Sequence, residues 1–431
     1  MTATQDPPTV AIIGAGLAGT ALALALLPHG IKPTIFESAG GFGTVGAGVI
    51  FGPNAARAMS LISPAAWKAF NTCLTRNRDA SFWDTWFEFQ DGRADATEAP
   101  WRLQRTGEKR DPAMASVHRA HFLAELAKQL PDDITQFRKT LTGLETSGGK
   151  STLTFADGTT FEADLVIGCD GIKSRVREIM FSSQSPTAAP LPTYTGQIGY
   201  RALLPTSLVE SILGPPAPNA ALFRGPNGYI VTYPVSHGEQ VNVVAAVKRP
   251  DISPGRDVMV LPDTHEALNA AFVNWRPEIR ELLTHFPSAD RWPLFDCPHG
   301  RRYVAPGGRV LLVGDAAHAS TPHLGAGAGM AFEDAVILGN LLGDVVRGEG
   351  ELEKAVEAYD AVRRVRTQGL IRRSREAAEL HTTVGEGALP WDEVNRRTEA
   401  LYRWAWEHDH EDELEKARKI MKGAYVRLDS I

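Results

Sequence analysis

The sequence predicts an α/β protein: a parallel sheet flanked by helices, interrupted by a second, strand-rich region and followed by C-terminal helices. Three observations lead there. The first forty residues read strand, glycine-rich turn, helix, strand. Two later apolar strands, within 163–169 and 308–313, each break into a helix at an aspartate beside a glycine. Around 229–247 the apolar residues alternate with period two, the mark of half-buried strands rather than helices.

Composition narrows the classes. A chain of 431 residues exceeds one ordinary core, and 43% hydrophobic content is too rich for a disordered chain. A net charge of −6 speaks against a nucleic-acid partner. Cys73, Cys169 and Cys297 lie too far apart for a disulfide framework or a zinc pattern, so no metal site is expected. The N-terminus lacks the build of a signal peptide, and no apolar run reaches the length of a membrane span. These features predict a cytoplasmic, multi-domain monomer or homodimer without membrane or nucleic-acid partners.

The first element is the strand Thr9 to Ile13, followed by Gly14-Ala15-Gly16-Leu-Ala-Gly19 and a helix to about Leu27. Gly14 suits the tight turn, Gly16 admits a pyrophosphate to the backbone, and Gly19 lets helix and strand pack closely. Free N–H groups at the helix start favour phosphate charge. The second strand, from Pro33, ends on Glu37, placed to bond a ribose hydroxyl. This Rossmann-like pattern predicts a dinucleotide without choosing between NAD and FAD.

The second element breaks at Asp170-Gly171, and the third at Gly314-Asp315. Either aspartate alone is better read as a helix cap. Two such turns after one dinucleotide motif instead predict that all three meet at the carboxyl edge of one sheet, where ligands bind.

The ordered triple resembles the FAD-dependent aromatic hydroxylases, the single-component class that includes para-hydroxybenzoate and salicylate hydroxylases. The resemblance covers about 8–345. It implies that Gly14, Ala15, Gly16, Gly19 and Glu37 hold the ADP moiety, that Asp170 helps to bind the FAD phosphate, and that Asp315 bonds the ribityl chain. Arg119, in Val117-His118-Arg119, would reach the phosphate or ribityl region, and Gly48 and Val49 belong to a loop like the one beneath the flavin. The run from His318 through Pro322, His323, Leu324, Gly325, Gly327, Ala328 and Gly329 resembles salicylate hydroxylases and their fungal relatives more narrowly. Leu324 departs from a glutamine common there and is assigned to the substrate pocket.

The resemblance implies a para-hydroxybenzoate hydroxylase-like arrangement. Segments 8–80, 111–185 and 299–345 build the FAD-binding domain, 81–110 supplies strands to a substrate-binding sheet domain at 186–298, and 346–431 is helical. Pro186 to Pro192 marks the crossing between the two domains. FAD is the expected cofactor and NADH, rather than NADPH, the co-substrate; its encounter is expected to be transient, since no second Gly-x-Gly-x-x-Gly follows a later strand. The expected partners are a small phenolic substrate, NADH and O2.

The chemistry asks for a group that takes the phenol proton and for backbone charge against the reduced flavin. Gly325 to Gly329 leads into an apolar helix whose N-terminus would stabilise an anion. The competing reading is a small-residue helix contact. His323 is the candidate base, an imidazole expected to titrate near neutrality, or else a histidine that only packs. His318 is expected to bond locally. Tyr229, Val231 and Tyr233 alternate onto one strand face, so Tyr233 is placed in the pocket with Phe223 and Arg201 on neighbouring strands. Arg201 either pairs with a substrate carboxylate or makes an interdomain ion pair.

Beyond Gly350 one helix is expected over Glu351 to Glu379 and another from Pro390 through Lys422. The arginines between 363 and 375 are read as a solvated or interdomain face. Together these features predict an FAD-dependent, NADH-using monooxygenase that works through a flavin C4a-hydroperoxide and converts salicylate to catechol with decarboxylation. The alternatives are a hydroxylase, possibly dearomatising, of a larger phenol or polyketide, an NAD-dependent dehydrogenase with one Rossmann domain, and a flavin-binding protein without turnover.

Overall fold

The computed structural model describes residues 6–43, 46–105, 112–182, 189–255, 258–385 and 387–428. The start of the predicted crossing, 186–188, lies outside them. Short strands, the inner ones apolar and buried on both faces and the edge strand Thr135–Phe137 only partly buried, pair as a five-stranded parallel sheet in the order Val310–Leu312, Leu165–Gly168, Val10–Ile13, Thr34–Glu37, Thr135–Phe137. The three strands that end in the glycine and aspartate turns are thus adjacent, and the turns share one edge. Helices Leu17–Leu26 and Gly327–Val346 pack on each other beside this sheet.

A seven-stranded sheet forms the second layer: Trp292–Asp296, Thr193–Pro205, Gln240–Lys248, Gly228–Val235, Ala221–Gly225, Thr85–Asp91 and Trp101–Gln104. Its strands come from two separate stretches of chain, and Thr85–Asp91 joins in parallel against Ala221–Gly225. One face packs on helices Thr206–Leu213, His265–Ala271 and Pro277–Thr284, with Ile230, Val243 and Ile279 in its core. The other face, with Leu222, Tyr229 and Tyr233, meets the body of the protein and the C-terminal helices. Smaller antiparallel pairings join Gly48–Phe51 to Ala115–His118 and build a three-stranded sheet over 141–163.

The long helix is Leu352–Thr382. The single helix expected from Pro390 to Lys422 is two, Trp391–Trp406 and His410–Met421. Asp409 causes the break, because its side chain accepts from the N–H groups of Glu411 and Asp412 at 3.0 Å each and starts a new helix. The arginine cluster is also not uniformly solvated: Arg363 is fully buried and Arg366 nearly so. Among the described residues no helix is long and apolar enough to cross a membrane.

Candidate active site

The cofactor edge is built by the three turns. Gly14 has φ +103°, and a Cβ there would stand 2.5 Å from the Cys169 carbonyl oxygen, so only glycine lets the first turn press against the Asp170 turn. The Gly14 carbonyl in turn lies hard against Gly19. The Ala15 N–H donates to Glu37 Oε2 at 2.9 Å, and Ala39 N–H to Oε1 at 2.8 Å, which fixes the carboxylate at the second strand's tip. Beside Gly16 the space is open to 4 Å.

Asp170 caps the next helix and keeps one oxygen free of it. Its Oδ2 accepts from the N–H groups of Arg175 (2.7 Å) and Val176 (3.0 Å), capping the next helix, while Oδ1 is buried with no hydrogen-bond partner among the described residues. Burial raises its carboxyl above the usual range. Arg177, fully buried, donates to the Ala316 carbonyl at 2.8 Å and ties this turn to the third. Asp315 lines the cleft with its side chain exposed there, and desolvation by the protein around it raises its carboxyl too. The Arg119 side chain runs along Gly43 and Gly46 on the same side.

Behind the third turn lies a group the sequence reading missed. Asp334, on the Gly327–Val346 helix, accepts from Gly314 N–H (3.0 Å) and Arg363 Nε (2.8 Å) and bonds His318 Nε2 at 2.7 Å. His318 is thus locally bonded, as expected. Glu333, His408 and His410 also cluster within 4.8 Å, but each already has a partner: Arg363 and Arg366, Glu413, and the Asn54 carbonyl.

Between this edge and the seven-stranded sheet lies a cleft of about 270 Å³. Gly48, Val49, Asp315, Pro322, Gly325, Gly327 and Ala328 line it on one side. The helix starts at Gly327, so the amides of Gly327, Ala328 and Gly329 are first-turn donors without intrahelical partners. The opposite wall is apolar, with Ile50, Phe87, Leu222, Val231 and Val244. Gly48 is gripped from that wall: its N–H donates to Asn242 Oδ1 (3.0 Å), and its carbonyl accepts from Tyr233 Oη (2.9 Å). A Cβ on Gly48 would meet the Tyr233 ring at 2.7 Å.

His323 reaches the cleft on the Pro322–Leu324 turn. Its Nδ1 is 2.9 Å from Tyr229 Oη, its carbonyl accepts from Tyr402 Oη at 3.3 Å, and Nε2 has no partner among the described residues. The expectation of titration near neutrality fails: burial without a nearby carboxylate drives its pKa down to about 3, so the imidazole is neutral. Arg201 makes no carboxylate ion pair among the described residues. It sits opposite Val244 in register, on the cleft face, with its guanidinium 3.4 Å over the Trp292 ring.

Two pocket assignments are corrected. Phe223 pairs with Ile230 and faces the opposite side of the sheet, packing towards Ile279; Leu222, opposite Val231, lines the cleft instead. Strand alternation makes this all-or-none, because a one-residue change of parity exchanges the faces. Leu324 is 2% exposed and belongs to the apolar core with Trp86 and Met330, off the cleft surface. Nothing local to the sequence signals Tyr402, which enters the cleft from the C-terminal helix Trp391–Trp406.

The residues fit a bound FAD: an open approach at Gly16, an orphaned Asp170 oxygen, a carboxylate at Asp315 and free amides at the helix start, all along one edge. The fold and site define an FAD-binding oxidoreductase with an aromatic-sized chamber beside its cofactor edge. Comparison with known proteins agrees. The family model for the FAD binding domain matches residues 8–374. The chain is 36% identical over 416 residues to 6-methylsalicylate 1-monooxygenase of Aspergillus terreus, covering 94% of this chain and 90% of that one. It is equally 36% identical over 431 residues to a salicylate hydroxylase of Pseudomonas putida, covering 95% and 94%. A solved salicylate hydroxylase substrate complex superposes with a TM-score of 0.82 at 31% identity, covering 95% and 98%. The chain belongs to the salicylate hydroxylase family of FAD-dependent aromatic monooxygenases.

Proposed function

We propose that this protein uses NADH and O2 to hydroxylate a phenolic aromatic acid, converting salicylate to catechol with loss of the carboxyl group. The observation that carries this reading is the unpartnered Nε2 of His323 at the rim of an apolar cleft beside the glycine-rich helix start. Gly14, Ala15, Gly16, Gly19, Glu37 and Arg119 hold the ADP and phosphate portions of FAD, with Asp170 supplying a further oxygen. Asp315, Gly48, Val49, Pro322, Gly325 and Gly329 hold its remainder. When bound, FAD supplies the redox chemistry that activates oxygen.

The chain's own part is orientation, dryness and charge. His323 Nε2 accepts a hydrogen bond from the substrate hydroxyl, which requires Nδ1–H to donate to Tyr229. The amides of Gly327, Ala328 and Gly329 favour negative charge developing in the cleft. Phe87, Leu222, Val231 and Val244 exclude water and face the ring. Arg201 leaves Trp292 to meet the substrate carboxylate, and Tyr233 fixes the Gly48 loop. NADH meets the protein transiently.

A second reading, hydroxylation of a larger phenol, is favoured by one observation: the described residues lining the cleft include no lysine or arginine. Turnover of salicylate against a panel of alkylated resorcinols separates the two. Catechol release with salicylate-stimulated NADH oxidation supports the first reading. Turnover of resorcinols alone supports the second, and flavin without substrate-stimulated NADH oxidation sinks both.

A further inference from the structure

Arg224 lies on the Ala221–Gly225 strand, fully buried, directly opposite Tyr229 in the antiparallel register. Cross-strand partners share a face, so Arg224 stands beside the tyrosine whose hydroxyl holds His323. Its neighbours Leu222 and Val231 on that face line the cleft. The guanidinium has no carboxylate partner among the described residues. Nη1 donates to Asn395 Oδ1 at 2.7 Å and Nη2 to Thr398 Oγ1 at 2.9 Å; Nε has no partner there. The rings of Phe89 and Trp391 lie 4.5 and 5.2 Å from it.

The acids on the elements packed around Arg224 are engaged elsewhere or exposed. Glu88 and Asp91 pair with Arg102 and Arg93, Glu376 and Glu379 with Arg397 and Lys248, and Glu393 and Glu399 with Arg396 and Arg403. Asp392 is exposed. The titratable groups facing the same interior are Tyr229, Tyr402, His323 and His381, with Asp91, the register partner of Arg224 on the neighbouring strand, held by Arg93 at 2.6 Å. His381 is fully buried, and neither of its ring nitrogens has a partner among the described residues. Burial brings the Arg224 guanidinium down to about 9, which leaves it charged at neutral pH. A buried cation without a counter-charge breaks the ordinary rule that buried charges are paired, and such breaches mark functional places.

We propose that Arg224 supplies the positive charge that the cleft lining lacks, stabilising the anionic form of a phenol held at His323 from behind the Tyr229–His323 pair. The inference rests on the phenol-hydroxylating reading above. In a poorly screened interior the charge acts past one side chain. It also opposes a positive charge on His381, while burial keeps His323 neutral; against a phenolate His323 carries its proton on Nε2, which donates to the phenolate oxygen, and Nδ1 accepts from Tyr229. The phenol O–H bond breaks on binding, the electron pair stays on oxygen, and the proton passes to solvent. Arg224 is therefore a positioning residue that touches neither substrate nor cofactor.

The test uses FAD-loaded enzyme and two coloured phenols, 5-nitrosalicylate and 4-nitrophenol, whose ionisation is read by difference absorbance. In the wild type both should bind as phenolates below their free ionisation pH, with proton release. Arg224→Met should raise the ionisation midpoint of each bound probe by about one pH unit and move the pH profile of kcat upwards with it. Arg224→Lys should restore part of the shift. A merely structural arginine would change the melting temperature and leave both profiles in place; that result overturns the inference. A shift with 5-nitrosalicylate alone also overturns it, because Arg224 then acts on the carboxylate. If Arg224→Met does not fold, Arg224→Gln against Arg224→Lys gives the same comparison. A wild type that neither binds the probes nor hydroxylates any phenol sinks the functional reading itself, whereas wild-type turnover with unshifted variants sinks this inference alone.

Discussion

Two arginines are buried to the same extent and treated in opposite ways. Arg363, on the long helix, reaches Asp334, Glu333 and Glu413 at 2.8, 3.0 and 2.8 Å, and these acids also take up Arg366, His318 and His408. Arg224, at the far side of the cleft, meets only neutral groups. The first place is a junction: it joins the C-terminal helices to the third turn of the cofactor edge, and its charges answer one another. The second is proposed as a field source, since among the described residues no carboxylate pairs with its guanidinium. At Arg363 the buried charge is matched and structural; at Arg224 it is unmatched among the described residues, as the proposed chemical role requires.

The largest expected effect breaks the junction. Arg363→Met should cost about 3–5 kcal/mol of folding stability, since three carboxylates lose their common partner, whereas Arg224→Met should cost less than about 1 kcal/mol or stabilise. Denaturant titration of both variants checks this, and equal costs would dissolve the contrast. Acid should weaken the junction as well. Pairing holds Glu333, Asp334 and Glu413 below their usual ionisation range, so their contribution is complete above that range and is lost as pH falls through the lowered values.

Next in size, Asp315→Ala should yield largely flavin-free protein, read from the visible spectrum. Full flavin occupancy would show that the junction supports a turn the cofactor does not need. On the pocket side, His323→Ala should slow hydroxylation about a hundredfold at neutral pH, with the loss shrinking as pH approaches the phenol's own ionisation. An unchanged rate and a flat profile would remove His323 from the chemistry. The smallest effect belongs to Phe223→Leu, which should leave KM for the substrate within about twofold. Leu222→Ala should alter it several-fold more, in line with which face each residue occupies.

These sites differed in how far the sequence revealed them. The three turns were legible because each is local: Gly14, Asp170 and Gly314 announce themselves by strand, glycine and helix in a row. Their convergence followed from the rule for parallel sheets. The Tyr229–Tyr233 face was legible for the same reason, as alternation within one strand. Phe223 was misplaced because the parity of one strand against the next is set by tertiary register, which no single strand encodes. His323 lies in the cleft, but its expected acidity fails, since burial depends on Tyr229, Tyr402 and the helices that close over it. Asn242 and Arg224 are single polar residues in apolar stretches and Asp334 is one of an adjacent acidic pair in another, and their partners lie far away in the chain.

The grip on Gly48 has a practical corollary. Tyr233 and Asn242 belong to the strands that shape the aromatic wall, yet they bond the Gly48 backbone, which in the proposed reading supports the prosthetic group. Redesign of selectivity by saturating Gly228–Val235 and Gln240–Lys248 would therefore disturb retention of the prosthetic group whenever either residue changes. Libraries that freeze Tyr233 and Asn242 while varying Val231 and Val244 separate the two properties, and chimaeras that exchange this hairpin should carry the Gly48–Phe51 strand along with it.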